Sequence, residues 1–183
     1  MKEIRNMSIG ELAAFICTHL KKNGIDVVLS GGACITIYTD NKYESFDLDF
    51  IENVSSKRKR IADSLKKIGF KEENRYFINP ETKFFIEFPS GPLSVGEEPV
   101  KEINTIQYQT GELKLISPTD CVKDRLAAYY HWQDQQSLEQ AISISERHKI
   151  NLKEIERWSK NEGMDYKFQE IKNEFKQAGR REK

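Results

Sequence analysis

The run Phe46-Asp47-Leu48-Asp49-Phe50-Ile51 alternates between apolar and acidic residues until its last position. A period of two sends successive side chains to opposite faces of a strand. Phe46, Leu48 and Phe50 must therefore enter a core, while Asp47 and Asp49 leave the other face together, roughly 7 Å apart at about 3.4 Å per residue. The chain has to build a sheet with one buried face, and it has to do something with two carboxylates held side by side. They can be solvated on an open face, or they can share a cation. A divalent ion is the usual way to stabilise such a pair, and Mg²⁺ (or Mn²⁺) takes hard oxygen ligands and brings substrate phosphates with it.

The 183 residues are one domain's worth of sequence, or one domain with a small appendage. Ten Phe, seven Tyr and two Trp offset a charged fraction of 32%, so a core can form. Lys+Arg and Asp+Glu both number 29, and the balance is even along the chain, with 16 basic and 17 acidic residues over 1–117. A basic arm or acidic tail is excluded, and any nucleic-acid contact must come from a local patch. Three cysteines without metal-ligand spacing, no signal-like opening and no apolar run near the roughly 18 residues of a membrane span lead us to expect a cytoplasmic protein without a membrane partner.

Ser8 and Glu11 form a capping-box pair ahead of Leu12, Phe15, Ile16 and Leu20, which predicts a helix over 8–23. A strand over 26–30, a glycine turn and a short helix to Tyr38 follow, then the 46–51 strand and a helix from 55 or 56 to 69. Phe77-Ile78 and 83–88 read as strands, and 105–108 with 113–116 as a hairpin. Beyond Ser117-Pro118 the pattern is helical, over about 118–132, 135–147, 151–162 and 165–178. The fold class is thus α+β, with residues 1–117 carrying the sheet and residues 118–183 a helical region packed against it.

Two further features strengthen the metal reading. Glu87 lies among Phe85, Ile86 and Phe88, where a carboxylate is costly unless it finds a cation or a hydrogen-bond donor. A neighbouring strand could bring it beside Asp47 and Asp49. Ser30-Gly31-Gly32, between a strand and a helix, lets backbone N–H groups approach phosphate oxygens with no Cβ in the way.

Gly31-Gly32, then Ser45-Phe46-Asp47-Leu48-Asp49-Phe50, then Glu87 on a later strand resembles the signature of the nucleotidyltransferase superfamily. Within it, the Ser-x-Asp-x-Asp form and the helical C-terminal part resemble the abortive-infection (AbiEii-type) nucleotidyltransferase toxins. The resemblance implies a mixed sheet, a triphosphate held at the glycine turn, metal on Asp47, Asp49 and Glu87, and Glu87 activating the acceptor. From the toxin-like relatives it also implies that Lys123 and Asp134, which fall on one helical stripe with Ala127 and Tyr130, face the nucleotide, and that a cognate antitoxin is a partner.

The reaction so implied is transfer of a nucleoside monophosphate from an NTP to an acceptor hydroxyl. Lys57, Arg58, Lys59, Arg60, Lys66 and Lys67 give the helix after the D-x-D strand six cations against Asp63, which points to an RNA acceptor such as a tRNA end. Adenylylation of a small molecule such as an antibiotic is the competing enzymatic reading. A non-catalytic nucleotide-binding or protein-interaction module on the same fold is the other alternative. Arg125 reads as a surface cation, His131 as solvated, Trp132 as core, His19 and His148 as structural, and Cys34 as a small core residue.

Overall fold

A computed structural model describes residues 2–52 and 58–179. The chain opens with α1 (Ile9–Lys22), β1 (Val27–Ser30), α2 (Gly31–Tyr38), β2 (Asp47–Glu52) and α3 (Arg58–Lys66). A meander of β3 (Lys71–Glu73), β4 (Tyr76–Ile78) and β5 (Phe85–Glu87) follows, then a small hairpin of β6 (Ser94–Val95) and β7 (Glu98–Pro99). The sheet is completed by β8 (Ile103–Tyr108) and β9 (Gly111–Ile116), and the rest is α4 (Pro118–Trp132), α5 (Gln135–Ser145), α6 (Leu152–Asn161) and α7 (Asp165–Ala178).

Seven strands form one mixed sheet in the order β3-β4-β5-β2-β1-β9-β8. β2 runs antiparallel to β1 and parallel to β5, and β1 runs parallel to β9. The alternation in β2 holds for Leu48 and Phe50, which are fully buried, and for Asp47 and Asp49, partly buried on the other face. Phe46, expected in the core, precedes the strand and is 42% exposed, stacked on Phe84. The capping box at Ser8 forms in both directions, with Glu11 N donating to Ser8 Oγ (3.3 Å) and Ser8 N to Glu11 Oε2 (2.8 Å). That box starts α1 at a fixed angle, and Leu12, Ile16 and Leu20 then join the core.

The helical region shares this core: Trp158, Phe168 and Phe175 belong to the same apolar cluster as Leu29 and Leu115. Polar side chains stitch the junction. Tyr38 Oη donates to the Ile116 carbonyl (2.7 Å) and accepts from Asn104 Nδ2 (3.0 Å), and His148 Nε2 lies 2.9 Å from the Tyr38 carbonyl. His19 Nε2 meets the Ser64 carbonyl at 2.9 Å, so both histidines are structural. Among the described residues no helix is long and apolar enough to cross a membrane.

Three differences from the sequence reading have local causes. The glycine pair opens α2 itself instead of forming a turn before it, because Gly31 at φ +68° turns strand directly into helix. β3 is a strand made only of Lys71, Glu72 and Glu73, all exposed, so its pattern carries no apolar face to betray it. β6 and β7 are two residues each and are held against α6 by the Trp158 Nε1 donation to the Val95 carbonyl, a tertiary contact.

Candidate active site

The register brings Ser30, Asp49 and Glu87 into a single row across β1, β2 and β5, with Asp47 one pleat away on the same face and opposite Phe85. The register of β2 with β5 matters here, because aligned residues of paired strands share a face. Leu48 and Ile86, the alternate pair, are fully buried beneath them. The apolar residues around Glu87 thus fix its strand, and the pleat turns the carboxylate outward to 21% side-chain exposure.

The glycines are there because the carboxylates are close. A Cβ on Gly31 would overlap Asp49 Oδ2, and one on Gly32 would come within 2.8 Å of Ser45 Oγ and 3.7 Å of Asp47 Oδ1. Positive φ at Gly31 excludes most other residues a second time. The backbone at the start of α2 therefore lies against both aspartates. Ser45 Oγ donates to Asp47 Oδ1, while Ser45 N donates to Thr36 Oγ1 at 3.0 Å, which ties the 39–45 loop to α2 and holds Asp47 in place.

Charge accumulates at this point. Burial, then Asp47, then Glu87 and Asp124 push the Asp49 carboxyl up to about 6, against a weak opposing pull from Arg75. Arg75 Nε sits 3.4 Å from Glu87 Oε1. On α4, Arg125 Nε donates to Asp124 Oδ2 at 3.0 Å, and the Arg125 side chain is only 22% exposed. Arg125 is thus no surface cation, and Asp124 is a fourth carboxylate within electrostatic reach of Asp49. Sequence reading missed the Asp124–Arg125 pair because it followed the stripe through Lys123, one residue out of phase.

Lys123 is brought elsewhere. Its Nζ lies 3.1 Å from Asp120 Oδ1 and 2.9 Å from Glu154 Oε1, and the side chain is 7% exposed. Asp134 is not on the α4 stripe at all, because that helix ends at Trp132 and Gln133 adopts φ 55°. Asp134 instead caps α5, accepting from Gln136 N (3.0 Å), Ser137 N (3.3 Å) and Ser137 Oγ (2.7 Å). Trp132, read as core, is 76% exposed at that same helix end, and Trp158 fills the core position. Cys34 is fully buried, its thiol pushed well up by burial, and donates to the Leu29 carbonyl, which excludes a nucleophilic role.

The basic helix is also differently placed. Arg58 Nε pairs with Glu72 (2.6 Å) and its guanidinium lies 5.3 Å over the Phe77 ring, on the face opposite the carboxylates, since Phe77 aligns with Ile86. Arg60 donates to the Asn23 and Gly24 carbonyls and Lys67 to Asn23 Oδ1, so these cations tie α3 to the end of α1. Lys57 lies outside the described residues; Lys59 and Lys66 are exposed.

Among the described residues no three His, Cys, Asp or Glu side chains converge closely enough to enclose a metal ion by themselves. Asp47 and Asp49 offer hard oxygen donors on one face, so an ion held there would need its remaining ligands from elsewhere, such as a bound phosphate. No family model matches the chain, and no curated protein does. Among solved structures, an antigenic nucleotidyltransferase-like protein from Paracoccidioides brasiliensis matches with a TM-score of 0.62 over 92% of each chain, at 16% identity. The fold is nucleotidyltransferase-like. The likeness spans the helical region as well as the sheet.

Proposed function

We propose that the protein is a metal-dependent nucleotidyltransferase that moves a nucleoside monophosphate from an NTP to an acceptor hydroxyl. The observation that carries this reading is the single row Ser30–Asp49–Glu87, flanked by Asp47 and by the glycine start of α2. Asp47 and Asp49 would hold Mg²⁺ or Mn²⁺, which when bound neutralises triphosphate charge and polarises the α-phosphoryl group. The N–H groups of Gly31 and Gly32, at the positive end of α2, bind and orient phosphate oxygens. Glu87 takes the proton from the acceptor hydroxyl as that oxygen bonds to the α-phosphorus, and the bond to pyrophosphate breaks. Ser45 keeps Asp47 turned toward the site through its hydroxyl. The Asp124–Arg125 pair supplies a fixed guanidinium on the α4 side. Membership of the toxin-like subgroup, with an antitoxin as partner, is supported by the Ser-x-Asp-x-Asp form and the helical C-terminus.

The test is NTP binding and turnover with and without Mg²⁺. Asp47→Asn should lose Mg²⁺-dependent NTP binding, whereas Glu87→Gln should keep most of the binding and lose transfer. Equal NTP affinity with and without Mg²⁺ in the parent protein would defeat the metal-dependent reading and favour a non-catalytic module.

A further inference from the structure

The seven-stranded sheet ends in two edges that are built differently. β3 is three residues long, and Lys71, Glu72 and Glu73 are all exposed and charged. Arg58 leans on that edge, with Nε 2.6 Å from Glu72 Oε1 and Nη2 donating to the Arg75 carbonyl at 2.9 Å. Short length and charge keep an edge from pairing with another chain. β8, at the other end, has neither. Its six residues, Ile103-Asn104-Thr105-Ile106-Gln107-Tyr108, include no charge and no proline, and they pair with β9 without a bulge, from Ile103 opposite Ile116 to Tyr108 opposite Gly111.

Alternation sorts the side chains of β8. Ile106 and Tyr108 pack against the core, and a Cβ on Gly10 of α1 would strike Tyr108 Oη. Ile103, Thr105 and Gln107 are exposed on the other face, Ile103 to 39%. The backbone alternates as well. The two-residue turn 109–110 makes Tyr108 and Gly111 a hydrogen-bonded pair, so Asn104, Ile106 and Tyr108 direct their N–H and C=O groups at β9. Those of Ile103, Thr105 and Gln107 point away from the sheet. One outward donor is served by its own neighbour, Thr105 N donating to Asn104 Oδ1 at 2.9 Å. Among the described residues no strand pairs with this edge.

We infer that β8 is a docking strand for a second copy of this chain, paired antiparallel about a two-fold axis at Thr105 so that two seven-stranded sheets become one. The occupant follows from the edge read against itself. Antiparallel pairing centred on Thr105 sets it opposite Thr105 of the second copy, and Ile103 opposite Gln107 of the second copy. These are the positions whose backbone groups point outward, so each outward donor meets an outward acceptor, in about six bonds. The Thr105 N–H passes from Asn104 to the carbonyl of Thr105 of the second copy. Threonine opposite threonine is a favourable cross-strand pair, the exposed Ile103 gains a neighbour, and no like charges face each other within the strand. The contact is isologous, so it closes as a dimer, and the charged β3 edge at the far side keeps it from growing further. β8 lies three strands from β2, which leaves Asp47 and Asp49 of both copies open. The inference does not depend on the transferase reading.

The experiment is sedimentation equilibrium of the full chain from about 1 µM to about 500 µM, the range in which a contact of this size is expected to form. The parent should pass from monomer to dimer as concentration rises. Gln107→Pro removes one outward donor from each copy, at a position where an edge strand tolerates proline, and should abolish the dimer. Thr105→Lys and Thr105→Glu alter an exposed side chain and set like charges opposite each other at the axis, which should weaken the dimer by about fivefold. Lys114, beside Thr105 on β9, is already paired with Asp26 at 2.6 Å and does not absorb the new glutamate. Mixed one to one, the two charge variants should form a heterodimer tighter than either homodimer. A parent that stays monomeric at every concentration would overturn the proposal and leave the edge to a foreign strand. A dimer unaltered in all three variants would also overturn it, and so would a mixture that binds no better than its components.

Discussion

Two charged clusters meet on adjacent residues of α4 and are built in opposite ways. On one side Lys123 is enclosed between Asp120 and Glu154, and Arg157 links Glu154 to Glu98, with Nη2 2.7 Å and 2.5 Å from their oxygens. Arg157 first, then Lys123, hold the Glu154 carboxyl down at about 2, and Arg157 with Asn161 do the same for Glu98. On the other side Asp47, Asp49 and Glu87 share a sheet face within electrostatic reach of Asp124, and burial and these acids push the Asp49 carboxyl up to about 6. A cluster in which carboxylates are held low is satisfied as it stands. One in which burial and neighbouring acids hold a carboxylate high is relieved by a proton or by a divalent cation. Lys123 is therefore satisfied by its own neighbours, whereas the transferase reading proposed above puts Asp49 to use.

The largest effect that could break this contrast is on turnover. Asp49→Asn should lower transfer by about a thousandfold or more, the scale expected when stabilisation of the transferring phosphoryl group is lost, while melting no lower than the parent. Thermal melts and single-turnover assays on the same preparation check both halves. A variant that loses its fold along with its activity would place Asp49 among the structural charges.

Lys123→Ala should do the reverse. Removing Lys123 leaves the buried Asp120 without its cation while Glu154 keeps Arg157, which costs about 3 kcal/mol. The readout is urea unfolding, with Mg²⁺-dependent NTP affinity measured on the folded fraction. Unchanged stability with lost triphosphate affinity would return Lys123 to the nucleotide, as its resemblance to the toxin-like helix implies.

The clusters should also answer pH with opposite signs. The raised Asp49 carboxyl binds more protons folded than unfolded, so its contribution destabilises the fold as pH rises from about 4 through about 6. Allowing for solvent screening of a partly open group, the change is about 1 kcal/mol. The lowered Glu98 and Glu154 contribute stability that is present above their ordinary value and is lost as pH falls through it toward about 2. Subtracting the melting curve of Asp49→Asn from that of the parent between pH 4 and 7.5 isolates the first term. A difference that grows with rising pH confirms the sign, and a flat difference means that Asp49 is solvated.

Why one cluster was legible and the other was not follows from how each is encoded. Asp47 and Asp49 share a face because of a two-residue period inside one strand, which any sequence reader can see. Glu87 required a guess that its strand would pair beside β2, and the apolar run around it carried that information. Asp124 and Arg125 depend instead on the angle at which α4 meets α2, and no local pattern records an angle. The stripe through Lys123 and Tyr130 was correctly helical, but it faces the core, where Tyr130 Oη and Ser159 Oγ meet at 2.9 Å. Arg58 and Arg60 looked like a free basic patch because their partners at Glu72 and Asn23 are brought to them only by folding.

The smallest expected effect concerns Ser45, which sharpens the contrast from inside the acid cluster. Its hydroxyl donates to Asp47 Oδ1, and its backbone N–H is held by Thr36 Oγ1 at 3.0 Å, so the donor is fixed at both ends before any ligand arrives. A fixed donor lets Asp47 keep its orientation while its free oxygen turns to a cation, the service that hydrogen-bonded neighbours give to metal-binding carboxylates elsewhere. Ser45→Ala removes one hydrogen bond at a partly exposed group, worth about 1 kcal/mol or less, and leaves the backbone anchor intact. The Mg²⁺ concentration that half-saturates NTP binding should therefore rise by about threefold to fivefold, with stability unchanged within a few tenths of a kcal/mol. Ser45→Thr, which retains the hydroxyl, should restore it. If Ser45→Ala shifts the melting temperature and leaves the Mg²⁺ dependence alone, the serine braces the 39–45 loop and has no part in holding the ion.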